Sequence, residues 1–222
     1  MVGQRLFTGR VAVAQAALQF SRNIFRQTLD YADNKRCWAP KGQRPTLSQI
    51  PQLKAIFKEG EAKLARLERF TRAIEAKLCA VLREDAIPSA RLQRAIAVAK
   101  IQCVETSIDL CHRLKQEVGS YALMESSGFI SLDFLSCCKF AEGDSRILLL
   151  KLARDTMRAA AKGKQGARLP ADEMALCLRV GAAVKRRGQQ EGFNKEWRSV
   201  YALAWKVANR TLYEWTGLPS SL

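Results

Sequence analysis

The chain has 222 residues, a formal net charge of +16 and a hydrophobic fraction of 48%, so it can bury a sizeable core and disorder is excluded as the default. Seven cysteines accompany a single histidine with no repeated Cys-x-x-Cys spacing, which argues against both a disulfide framework and a zinc site. No run reaches the roughly 18 uncharged apolar residues that a membrane span needs.

Ala, Leu, Arg, Lys and Gln are abundant and β-branched residues are thin, which favours helix nearly throughout. The first helix is predicted from about Thr8, as N-cap, to Asn34, with Val11, Ala14, Leu18, Phe25 and Leu29 at helical spacing. A Pro- and Gly-marked loop over 37–45 precedes a long helix from Thr46 to about Glu84. Its apolar positions from Leu53 to Val81 form a sustained seam that must pack against partner helices, and the stretch from Leu64 to Val81 also suits oligomerisation. Ser89 caps a third helix reaching about Glu117, and a loop from Gly119 to Gly128 leads to a short piece near 132–139. A fourth main helix starts at Asp144 or Ser145 and ends at Ala161. After a linker, KGKQGARLP, two more amphipathic helices are expected, about 171–187 and 195–215.

The expected fold class is therefore all-α: an antiparallel four-helix bundle over 1–161, with a basic helical C-terminal extension over 162–222. From Lys151 onward there are 14 basic and 6 acidic residues. That surface suits anionic partners, but no aromatic RNA-binding signature or recognition-helix motif accompanies it, so sequence-specific nucleic-acid binding is not expected. Cys79, Cys103, Cys111 and Cys177 fall inside helical runs as small hydrophobes, which points to a reducing intracellular compartment. No long apolar block of a secretory signal opens the chain. The closing Ser-Ser-Leu only loosely matches the peroxisomal address.

The segment KFAEGDSRILLLKLARD, Lys139 to Asp155, carries the most chemical information. It sets Glu142 immediately before a Gly-Asp-Ser helix start. There a carboxylate sits near free backbone N–H groups, beside a glycine that admits close approach to the main chain. On these residues alone, a carboxylate that complements the helix dipole is the favoured reading.

Several separated pieces in order resemble the C-terminal helical domain of the acyl-CoA oxidase and dehydrogenase family. TGRVAVAQAAL resembles its Gly-Arg-rich opening, and YADNKRCW (Tyr31 to Trp38) the tyrosine-to-arginine ending of that helix. Gln49 and Gln52 fall where the next helix carries a glutamine, and Lys100 in AIAVAK is similar to the lysine of the helix after. QEVGSYALMESSGF resembles the glycine-rich loop, and AEGDSRILLLKLARD supplies the glutamate. The resemblance covers roughly Leu6 to Asp155.

The resemblance implies FAD as cofactor and a fatty acyl-CoA as substrate, desaturated between Cα and Cβ. It makes Glu142 the base. It places Arg36, or Lys35, on the FAD pyrophosphate, Gly119 and Gly143 at backbone approaches to the cofactor, and Tyr121 and Phe140 at the substrate, with Phe134 as a further apolar wall. Read without it, Arg36 is a solvated charge at a helix end, Gly119 a helix C-cap and Tyr121 a core aromatic. The chain departs from the family in three places: Arg36 comes five positions after Tyr31 rather than four, Gly119 lacks a paired glycine, and Asp144 replaces threonine. The family's N-terminal helical and β-barrel domains are also missing, which implies a piece of a longer or split enzyme, with a homo-oligomer or partner chain supplying the rest. Peroxisome or mitochondrion follows as the expected compartment. The rival expectation is a non-catalytic basic helical scaffold in a larger organellar or RNA-containing assembly.

Overall fold

A computed structural model describes residues 2–38, 40–161 and 169–217. The linker, apart from its last two residues, and the terminal Ser-Ser-Leu lie outside these residues. Among the described residues the chain is helical with no strand; an isolated bridge pairs Arg36 with Thr46. It divides into two compact units, with the division between Glu142 and Gly143.

The first unit is built on three long helices: α1 (Val2–Asn34), α2 (Pro51–Arg83) and α3 (Ala90–Glu117). They run up, down and up. Gln15 Nε2 meets Glu75 Oε2 at 2.6 Å and Phe25 meets Gly60, so α1 and α2 are antiparallel. Arg113 forks onto Glu59 and Thr71 Oγ1 lies 3.4 Å from Cys103 Sγ, which makes α2 and α3 antiparallel too. The α2 seam is consumed by this packing. Leu64, Leu67, Phe70, Ile74 and Leu78 are all buried within the chain, so the seam does not offer the oligomer surface expected of it.

Thr8 does not cap α1. The helix begins six residues earlier, and the Thr8 hydroxyl donates back to the Arg5 carbonyl at 3.0 Å. The second helix is interrupted at its start. Leu47–Gln49 forms a 3₁₀ turn with Gln49 Oε1 accepting from the Thr46 amide at 3.1 Å, and Pro51 then opens α2 proper, where its missing N–H costs nothing. Ser89 caps α3 as expected, accepting from the Leu92 amide. Three short 3₁₀ turns over 119–132 lead into α4 (Asp133–Phe140), which returns the chain to the Gly9 end of α1.

The second unit holds α5 (Ser145–Ala161), α6 (Ala171–Arg187), α7 (Gln189–Lys195) and α8 (Trp197–Thr216). The fourth long helix of the expected bundle, α5, belongs here and packs on α8. One closing helix more than expected is present. Gly188 at φ 82° separates α6 from α7, and Glu196 at φ −101° and ψ 27° divides α7 from α8. The core of α8 is Val200, Leu203, Ala204, Val207, Ala208 and Leu212. Glu173 is buried and held by a two-pronged Arg210, at 2.8 and 3.1 Å.

Cys103, Cys111, Cys138 and Cys177 are buried thiols, whereas Cys79 lies on an exposed face rather than in the core. All seven are unbridged.

One interaction makes the first unit's stability depend on acidity. Hydrogen bonds from Arg113 first, and from Lys63, hold the Glu59 carboxyl down to about 2. A carboxylate whose folded value is depressed contributes stability that is complete above its unfolded value and lost as pH falls toward the folded one. After discounting for partial exposure, about 1–2 kcal/mol is expected to disappear between about 4.5 and about 2. Urea melts of the wild type and Glu59→Gln at several pH values check this. Their stabilities are expected to converge as pH falls, and a constant gap across that window would refute the assignment.

Candidate functional site

Glu142 stands at the end of α4 with φ 55°, one of two non-glycine residues with positive φ among those described. A β-carbon makes that conformation costly, so surrounding contacts must impose it. Three contacts are visible. Arg10 Nε donates to the Glu142 carbonyl at 3.0 Å. The Glu142 carboxylate lies against Gly9: a Cβ built there would overlap its carboxyl carbon and stand 2.6 and 2.8 Å from its oxygens. Three residues earlier, the Lys139 carbonyl accepts 2.6 Å from Nζ of the fully buried Lys100.

Lys100 is well placed electrostatically, since a cation at the C-terminal carbonyls of α4 complements the helix dipole. Lys139 itself reaches back to Glu105 on α3, Nζ to Oε2 at 3.0 Å. The last turn of α4 is thus tied to α3 twice, once through backbone and once through side chain. Burial pulls the Arg10 guanidinium below its ordinary value, while the neighbouring Glu142 charge opposes that shift. The arrangement brings a carboxylate and a guanidinium together at a glycine-made notch in α1, at the edge of the first unit.

Phe140 is next to this notch in sequence and 58% exposed. Phe134 is also partly exposed and packs on Phe20, ring centroids 5.3 Å apart. Gly143 opens the second unit at φ 103°. Asp144 precedes α5, and its carboxylate accepts from the Arg146 amide at 2.7 Å.

The other candidates sit elsewhere. Lys35 and Arg36 follow the far end of α1. The run from Gly9 to Asn34 is unbroken helix, which at a rise of ~1.5 Å per residue puts them about 37 Å from Glu142's notch. Both are exposed; Arg36 Nη1 donates to the Arg44 carbonyl at 3.2 Å. Gly119, exposed at φ 65°, closes α3 at that same end. Tyr121 is buried there, stacked on Tyr31 at 4.0 Å between centroids, with its hydroxyl 3.4 Å from the Gln27 carbonyl. One group, Glu142, Gly143 and Phe140, and another, Lys35, Arg36, Gly119 and Tyr121, therefore occupy opposite ends of the helices.

Sequence reasoning quoted Gly9, Arg10 and Lys100 as parts of motifs without giving them work at the site. Their only signal in the sequence is their place in TGRVAVAQAAL and AIAVAK; that Gly9 and Arg10 both meet Glu142 is visible only in the fold.

No family model matches the sequence and no curated protein matches it. Solved structures do match in fold. An acyl-CoA oxidase from tomato superposes with a TM-score of 0.72 at 14% identity, over 92% of this chain and 38% of its own. Arabidopsis thaliana acyl-CoA oxidase 1 gives 0.73 at 13% identity, over 96% and 38%. Acyl-CoA oxidase 3 from Yarrowia lipolytica gives 0.60 at 15%, over 95% and 38%. The chain thus spans well under half the length of these oxidases, and its all-α fold is that of their C-terminal helical domain. Coverage this complete leaves no room for α6, α7 and α8 to lie outside the likeness, which therefore continues beyond Asp155.

Proposed function

We propose that this chain is the C-terminal helical part of an FAD-dependent acyl-CoA oxidase-type enzyme that desaturates a fatty acyl-CoA between Cα and Cβ, with Glu142 as the base. The supporting observation is the seat of Glu142: a carboxylate held at positive φ, its carbonyl clamped by Arg10 and its side chain on Gly9. Strain of this kind persists where the surroundings over-determine it, and a fixed carboxylate is what proton abstraction needs.

The α proton of a thioester is weakly acidic. A carboxylate removes it only when charge growing on the thioester oxygen is stabilised and the base is correctly aimed. Glu142 takes that proton onto a carboxylate oxygen. Gly9 leaves the space in which the carboxylate lies, and Arg10 and Lys100 fix the backbone on either side of it. Phe140, exposed beside the base, offers apolar surface to an acyl chain. The chemistry that bound FAD would supply is a hydride acceptor for the β hydrogen.

The planar fork of Arg36 and the ammonium of Lys35 suit a pyrophosphate. Their distance from Glu142 exceeds what a single dinucleotide covers, so within one chain they do not serve the flavin that faces Glu142. We assign them to the FAD of another copy, in a homo-oligomer whose remaining domains come from a longer chain or a partner. Unbridged cysteines agree with a reducing compartment, and a peroxisome or mitochondrion fits this chemistry.

The test is the absorbance spectrum of the natural protein, purified with any chain that accompanies it, before and after a long-chain acyl-CoA is added. Bleaching of a flavin band, lost in Glu142→Gln, is the expected result. A natural assembly devoid of flavin would end the proposal.

A further inference from the structure

We propose that the corner formed by α6, α7 and the start of α8 is a docking surface for an anionic lipid membrane. The inference is independent of the Glu142 chemistry and rests on four observations within the second unit.

The first is that α6 has two apolar faces. Glu173, Cys177, Val180 and Ala183 are buried on its inner side. On the outer side Ala175, Leu178 and Ala182 recur at helical spacing and are exposed, Leu178 to 67%. The same outer row continues into Lys185 and Arg186, both exposed. An outward apolar stripe ending in cations is the pattern of a helix that lies on a lipid surface.

The second is an exposed indole at the start of α8, the helix start that Arg179 ties to α6. Glu196 pairs with Arg179 at 2.8 Å, which sets the start of α8 next to the middle of α6. Trp197 follows directly and is 50% exposed. An indole with one wet and one apolar side is the residue favoured at headgroup depth.

The third is the state of the charges. An open cleft of about 610 Å³ is lined by Arg186, Arg187, Lys195, Glu191 and Glu196 together with Ala183. Both carboxylates are engaged: Glu191 by Arg187 at 2.7 Å, Glu196 by Arg179 and by the Ser199 hydroxyl at 2.9 Å. Lys185, Arg186 and Arg198 have no ion-pair partner among the described residues. Their positive charge is therefore open to phosphate and carboxylate headgroups.

The fourth separates lipid from other anionic or apolar partners. The Arg198 guanidinium already lies 4.5 Å over the Trp197 ring and Tyr201 packs on it edge-wise, so Trp197 is poorly disposed as a stacking platform for bases. Exposed Leu178 has no use in a groove that tracks a nucleic-acid backbone. A second copy docking this face on itself would bring like cations together, which is repulsive. A membrane uses the apolar stripe and the cations at once.

The experiment is co-sedimentation of the full chain with phosphatidylcholine vesicles, with and without phosphatidylserine. Binding is expected only with phosphatidylserine, to weaken as salt is raised, and to fall roughly tenfold or more in the exposed double variant K185E/R186E. A second variant, Leu178→Asp, is expected to weaken binding without altering the melting temperature, because its side chain is solvent-facing. Equal binding to neutral vesicles, no binding to either, or loss of vesicle binding on adding poly(U) with retention on the RNA would each overturn the proposal. So would a concentration-dependent dimer that K185E/R186E abolishes while vesicle binding is untouched.

Discussion

Gly9→Ala is expected to lower the rate of acyl-CoA-driven flavin bleaching by roughly 100-fold while leaving thermal stability unchanged or slightly raised. The two halves of that result come from different physics. Inside α1 an alanine is favoured over glycine by about 1 kcal/mol, because glycine orders more backbone for no side-chain gain. The atoms nearest the new methyl are the carboxyl end of Glu142, whose carbon it would overlap and whose oxygens it would approach at 2.6 and 2.8 Å. That end is the tip of a flexible side chain, so the clash is relieved by moving the carboxylate rather than the helix. A base displaced by about 1 Å no longer addresses the proton it must take, and such displacements cost about two orders of magnitude. A variant that melts normally and bleaches normally would show that the seat on Gly9 is incidental. One that melts lower would show that Gly9 is needed for packing instead. Arg10→Lys makes a useful companion, because it keeps the charge but gives up the geometry with which the guanidinium reaches the Glu142 carbonyl.

How far the sequence foretells this arrangement varies with the distance over which each contact acts. The starts of α3 and α5 are written locally: Ser89 reads as the cap of α3, and the α5 start expected at Asp144 or Ser145 falls at Ser145, with the Asp144 carboxylate accepting from the Arg146 amide. The failure at Thr8 is local too: threonine caps a helix only if the preceding residues leave it, and Arg5 to Phe7 are good enough formers to continue. The start of α8 is expected at about 195 and lies at Trp197, whereas α7 is not expected at all, because Gly188 and Gly192 make 188–194 read as a connection between two helices. Glu142 was legible only through resemblance. Its seat on Gly9 joins residues more than 130 positions apart, and no periodicity encodes that. The uninterrupted helix between Thr8 and Asn34 fixes how far Lys35 and Arg36 lie from Gly9, and their separation from Glu142 follows only once the fold seats Glu142 there. The α2 seam shows the opposite limit: a repeat reveals that a face is buried without revealing against what, and here α1 and α3 cover it.

Gly60→Ala tests that packing where two opposing magnitudes meet. Gly60 is buried in the middle of α2, where propensity alone predicts that alanine stabilises by about 1 kcal/mol. A Cβ there would overlap Cε1 of Phe25 and stand 2.7 and 2.9 Å from its Cζ and Cδ1. Unlike the Glu142 carboxylate, this ring has little room to retreat. Phe25 is only 8% exposed and meets Phe57 edge-on at 6.0 Å. Overpacking of this kind costs about 1–3 kcal/mol and occasionally more, so it outweighs the propensity gain. With the contact this close the upper part of that range applies, so the expected net loss is about 1–2 kcal/mol, a fall of roughly 2–8 °C in melting temperature for a chain of this size. Phe25→Leu on its own should also destabilise, because it removes buried ring surface. Combined with Gly60→Ala it should cost less than the two losses added, since the smaller side chain leaves space for the methyl, and a double-mutant cycle measures that coupling. If Gly60→Ala raises the melting temperature, or the cycle shows strict additivity, the close approach of α1 and α2 at this point is wrong. The glycine would then be a helix defect rather than the reason the two helices can pack so tightly.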